Sequence, residues 1–112
     1  MIGRAERGMS APPEVVFNTA TDPSRYSGWL PEPLWRSGRS RPITGAETLR
    51  VRWESDGQAG WSADLRVESG GAGSTRVRLD ITADEPGHRL TELADTSLAS
   101  LARHVADNLT AG

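Results

Sequence analysis

Hydrophobic and polar residues alternate with a period of two in three successive runs, and the same parity is apolar in each. Leu49, Val51 and Trp53 lie on one side while Arg50, Arg52 and Glu54 lie on the other. Trp61, Ala63, Leu65 and Val67 oppose Ser62, Asp64, Arg66 and Glu68; Thr75, Val77, Leu79 and Ile81 oppose Arg76, Arg78, Asp80 and Thr82. Such alternation predicts strands with one face on a core and one in water, joined as an antiparallel meander. The connectors, Asp56 to Gly60 and Ser69 to Ser74, hold the glycines that chain reversals need. Pairing Ser55 with Trp61 sets Arg52 opposite Asp64, an attractive cross-strand pair, whereas a slip of one pair opposes Glu54 to Asp64. The second hairpin has no such solution, because either even register opposes like charges, and its register stays open.

Beyond Pro86 the period becomes helical. Leu90, Ala94, Leu98, Leu101, Val105 and Leu109 fall in one stripe, and Arg89, Glu92, Arg103 and Asp107 lie away from it. Asp95 or Thr96 can cap a fresh start, which would leave Pro86 to Asp95 as a separate turn or an irregular lead-in. At the other end of the chain, Pro12 and Pro13 suit a first helical turn, where no backbone donor is missed, and Glu14 suits its positive end. A helix from Pro13 to Ala20 follows, with Val16, Phe17 and Ala20 on one face. Asp22 before Pro23 predicts a second short helix to about Ser27, released by Gly28, with Trp29 at its exit. Between these regions, Leu34 to Ser40 reads as a short strand, with Pro42 and Gly45 marking the turn after it. Residues 2 to 10 alternate weakly and by themselves read as a tail.

The run Ala-Pro-Pro-Glu-Val-Val-Phe, then Thr-Asp-Pro-Ser-Arg-Tyr, then Trp-Leu-Pro, resembles the opening of START-like proteins of the polyketide cyclase and lipid-transport type. This is the helix-grip, Bet v 1-like or SRPBCC superfamily. The remaining elements match in order: a strand meander and a long closing helix. The resemblance implies an α+β fold in which a curved antiparallel sheet grips the C-terminal helix, two short helices follow the first strand, and an apolar cavity lies between sheet and helix. It also makes residues 2 to 10 an edge strand. The chain is short for the family, with room for about five strands, which implies a small or open cavity or one covered by a second copy in a homodimer.

With 112 residues and no Cys, the chain is expected to form a single domain over residues 1–112 without disulfides or Cys-ligated zinc, and the cytoplasm is the expected location. Arg4, Glu6 and Arg7 interrupt the stretch where a signal peptide would be apolar, and no run is long enough to cross a bilayer. A net charge of −2 gives no general attraction to nucleic acid or anionic membrane. All thirteen basic residues are Arg, which excludes a Schiff-base lysine and a Walker-type phosphate loop.

The inward face of the three strong strands has no titratable side chain, Thr75 being its most polar member, so acid–base groups would have to come from helices and loops. The C-terminal helix offers Ser97, His104 and Asn108 along one margin of its apolar stripe. His104 and Asn108, four apart, can bond one another or a ligand carbonyl; the bland alternative is a half-exposed helix flank. Asp107 points to the far side and cannot complete a triad with Ser97 and His104. His88 and His104 lack the spacing of a metal site, and neither metal nor cofactor is expected. Arg36, Arg39 and Arg41 beside Trp35 read as a solvated strand face rather than an anion site.

Four Trp beside a single Phe are an unusual way to fill a small core. Tyr26 and Trp29, with Trp53 and Trp61 from adjacent strands, are the candidate wall of a site for a flat ligand. The expected function is binding of a small hydrophobic or aromatic molecule, lipid or polyketide-like, at Tyr26, Trp29, Trp53, Trp61, Ser97, His104 and Asn108. The alternatives are an aromatase- or cyclase-type enzyme, in which a shaped cavity orients a polyketide, and a protein-interaction domain like the START-like activators of chaperone ATPases.

Overall fold

The structure, a computed structural model, describes residues 1–44, 49–55, 60–71 and 73–110, the side chains of 36–44, 55 and 108–110 excepted. Among the described residues five strands form one antiparallel sheet: β1 (Ile2–Met9), β2 (Gly38–Thr44), β3 (Leu49–Ser55), β4 (Ser62–Gly71) and β5 (Ser74–Thr82), in the order β1-β5-β4-β3-β2. Between β1 and β2 come α1 (Pro13–Ala20), a 3₁₀ turn (Pro23–Arg25), α2 (Tyr26–Trp29) and α3 (Glu32–Ser37). A single 24-residue helix, α4 (Gly87–Thr110), closes the fold. Among the described residues no helix is long and apolar enough to cross a membrane.

The meander has the expected parity, with Val51, Trp53, Ala63, Leu65, Val67, Thr75, Val77, Leu79 and Ile81 all buried. The β3–β4 register is also the expected one, with Arg52 the Cα partner of Asp64. The charge pairing is different. Asp64 accepts a bidentate bond from Arg50 on the diagonal (2.6–3.1 Å), and Arg52 turns to Glu54 on its own strand at 2.9 Å.

The β4–β5 hairpin takes a register in which Asp64 meets Asp80 and Arg66 meets Arg78. These like-charge pairs are tolerated because each carboxylate has an arginine on its other side: Arg50 from β3 for Asp64, and Arg4 from β1 for Asp80 at 2.8 Å. A hairpin read without its outer neighbours does not reveal that solution. The weakly alternating residues 2–9 are indeed an edge strand, whose hydrogen bonds continue past β1 through Met1 and Ala83.

Three local expectations fail. Leu34 to Ser37 is helix, not strand. Pro31, Glu32 and Pro33 put two prolines and an acidic residue at the helix start, as Pro12, Pro13 and Glu14 do at α1 in a different order, and the amides of Leu34 and Trp35 donate to the Pro31 carbonyl at 2.9 and 3.3 Å. Pro42 lies within β2, tolerated because β2 is an edge strand, and Gly45 lies outside the described residues. Gly28 does not release the second helix but lies inside α2. The lead-in before Asp95 is the first two turns of α4 itself, started at Pro86, whose carbonyl accepts from Arg89 and Leu90.

On the inner side of the sheet α4 rests mainly on β1, with some contact to β5; α1 covers β3 to β5 and α3 covers β2 and β3, while α1 and α2 abut α4. Helix and edge strand approach so closely at Gly3 that any side chain there would meet the Leu90–Thr91 backbone. Thr75, the polar member of the inner face, donates its buried hydroxyl to the Ala11 carbonyl and so ties the bend after β1 to β5.

Candidate functional site

An aromatic cluster stands where the short helices meet β3. Asp22 starts the 3₁₀ turn, its Oδ1 accepting from the Ser24 hydroxyl at 2.8 Å and the Ser24 amide at 3.1 Å, and Pro23 fits the first helical position. Those two bonds, the hydroxyl first, hold the Asp22 carboxyl below the usual carboxylate range. The turn runs straight into α2, which carries Tyr26 and Trp29 three residues apart and therefore on one face. Both meet Trp53 edge to face, with ring centroids 5.9 Å apart for Tyr26 and 5.4 Å for Trp29. Trp29 is 4% and Trp53 1% exposed. The Nε1–H groups of both indoles are buried without a hydrogen-bond acceptor among the described residues. The Tyr26 hydroxyl donates to the Thr21 carbonyl at 3.3 Å.

Of the predicted polar residues of α4, His104 meets α2. His104 sits over Gly28, where a side chain would run into the imidazole Nε2. Arg25 Nη1 lies 3.3 Å from His104 Nδ1. A guanidinium has only donors, so Nδ1 accepts and a neutral ring carries its proton on Nε2. Arg25 is also within 3.6 Å of Asp22. His104 therefore docks α2 onto α4. Ser97, two turns earlier on the same side of the helix, is buried, and the side chain of Asn108 lies outside the described residues.

Trp61 is half-buried at the rim of a cleft of about 250 Å³ that it shares with Glu85, Arg89, Leu90 and Leu93. Arg89 reaches Glu85 at 3.8 Å on its exposed side. Trp61 stands just before β4, two residues from Ala63, which is the Cα partner of Trp53. That places Trp61 about 7 Å farther along the strand. The side chains of Arg36, Arg39 and Arg41 lie outside the described residues.

The sequence reading named the four aromatic residues, and Leu90 only as part of the helical stripe, and did not single out Arg25 or Leu93. Leu90 was legible in the apolar stripe of α4, whereas Leu93 lay outside the stripe as read, and Arg25 becomes meaningful only when α2 and α4 meet. The signal for that meeting was Gly28: a glycine inside a helix often marks a close approach by another element.

The folded chain can be compared with known proteins. No protein-family model matches the sequence, and no curated protein matches it. Protein NE0264 from Nitrosomonas europaea is similar in structure, with a TM-score of 0.67 at 15% identity over 98% of this chain and 97% of that one. A START superfamily protein from Mycobacterium smegmatis aligns with a TM-score of 0.61 at 16% identity, covering 97% of each chain. The chain has the START-like, helix-grip fold. The same START-like fold relates it to the di-domain ARO/CYC BexL from the BE-7585A biosynthetic pathway, with a TM-score of 0.58 at 14% identity over 98% of this chain and 46% of that one. Identities this low speak for the fold alone.

Proposed function

We propose that this START-like domain binds a small, flat hydrophobic molecule between the inner sheet face and α4. The ligand enters past Trp61 and lies against Trp53, Trp29 and Tyr26. The observation that carries this reading is the cleft at Trp61, Leu90 and Leu93, two residues along the chain from Ala63, the Cα partner of Trp53 in the aromatic cluster. At about 250 Å³ the cleft falls just short of the ~300–1,000 Å³ of pockets that hold drug-sized ligands, so the fitting ligand has one or two rings. A polyketide-like ligand agrees with the likeness to a di-domain ARO/CYC protein; a lipid would present its chain to the same apolar wall.

Binding is favoured over catalysis because the inner sheet face around Trp53 presents Val51, Ala63 and Leu65, and the imidazole of His104 is engaged by Arg25. Ser97 and His104 then act by setting the position of α2 and α4 around the ligand, and Asn108 belongs to the same margin of the helix.

Titrating a panel of flat apolar compounds should quench Trp fluorescence saturably. Trp61→Ala should weaken the best binder by about tenfold while leaving a cooperative melt, since it removes a wall of the cleft rather than the core. An absence of saturable quenching across the panel would reject a binding function.

A further inference from the structure

Two indole N–H groups, those of Trp29 and Trp53, are buried in one aromatic cluster with no acceptor among the described residues. A buried donor left without a partner is expensive, and native interiors seldom keep even one without a reason. Here there are two on adjacent rings. In the Trp29–Trp53 contact one ring offers its edge and the other its face, so that contact serves at most one of the N–H groups, and an aromatic face is a weaker acceptor than a carbonyl oxygen.

We infer that the ligand carries an uncharged carbonyl oxygen, as in a ketone, quinone or lactone, that accepts from the Nε1–H groups of Trp29 and Trp53. The inference rests on the binding reading above and narrows it to a chemical class. The donors are neutral, and a buried carboxylate needs a cation or several strong donors to offset its loss of water. Arg25, the charged group in the turn leading into α2, is shared between Asp22 and His104. The Tyr26 hydroxyl proton is directed to Thr21. The site therefore rewards a neutral acceptor and rejects an acid of the same outline.

Three bicyclic probes separate these properties: indane, 1-indanone and indane-1-carboxylate. Binding to the whole chain is followed through the four indole Nε1–H resonances of ¹⁵N-labelled protein, assigned with Trp29→Phe and Trp53→Phe. The expected result is that 1-indanone binds about tenfold more tightly than indane, the worth of one buried hydrogen bond. It should move the Trp29 and Trp53 signals downfield, with the carboxylate the weakest of the three. Each Phe variant should reduce the preference for the ketone while retaining indane binding, and the double variant should erase it.

The comparison among probes in the parent chain decides the matter even if a Phe variant fails to fold. Equal affinity for indane and 1-indanone, with unmoved indole signals, would overturn the carbonyl assignment and leave the binding reading standing. Preference for the carboxylate would overturn it too, by revealing a cation at the site. Saturable binding by none of the three would remove both readings.

Discussion

Asp22 shows how much one side chain can organise. Its carboxylate accepts from the Ser24 hydroxyl and amide, sits 3.6 Å from the Arg25 guanidinium, and so fixes the turn that delivers Tyr26 and Trp29 to the core. The carboxyl is held below its ordinary range by the Ser24 bonds. A group whose folded pKa is depressed contributes stability above its unfolded value, about 3.9 for Asp, and loses it as pH falls through the folded one. Asp22→Asn keeps an oxygen for capping but cannot titrate, whereas Asp22→Ala removes the cap. Thermal melts at about pH 6 and about pH 3 should therefore show a larger acid-induced drop for the parent than for Asp22→Asn, with Asp22→Ala the least stable at the higher pH. Parallel drops in parent and Asn variant would mean that the carboxylate does not cap the turn in solution.

At the scale of elements, what the sequence made legible follows from how local each signal is. The parity of β3, β4 and β5 and the stripe of α4 repeat over many residues, so burial confirms them at almost every position. The first hairpin register was legible because one slip would oppose two carboxylates; the second was not, because its charges are balanced by Arg4 on a strand some seventy residues earlier in the chain. The helix at Glu32–Ser37 was misread as strand although its start carries the same proline signal as α1, because the Arg, Ser and Gly that follow weaken any periodic pattern. Leu101 tests the element that closes the fold. It is fully buried on the inward side of α4, so Leu101→Ala should cost about 2–5 kcal/mol in chemical denaturation. A change below about 0.5 kcal/mol, typical of surface sites, would detach that helix from the core.

At the scale of the whole molecule, the candidate site depends on two parts of the chain that the sequence sets far apart. The aromatic residues of α2 reach Trp53 only if α2 is docked on α4, and the docking contacts are Gly28 under the His104 ring and Arg25 against its Nδ1. The four aromatic residues were legible as an odd composition, but their division into a buried Trp29–Trp53 pair, a half-buried Tyr26 against it and Trp61 at the rim of a cleft follows from this docking and from the sheet register, neither of which periodicity reveals.

The docking makes a prediction in which one substitution changes sign. Gly28→Ala should stabilise a helical position by roughly 0.4–1 kcal/mol, through the smaller entropy of the unfolded chain, if nothing stands in the way. In the parent the new methyl meets His104 Nε2, and the imidazole must leave Arg25 to make room. Gly28→Ala should therefore lower the denaturation midpoint in the parent and raise it in a His104→Ala background, giving a coupling of about 1 kcal/mol or more in the double-mutant cycle. Additive effects would show that α2 and α4 are not held together through this contact, and that Tyr26 and Trp29 reach Trp53 by some other support.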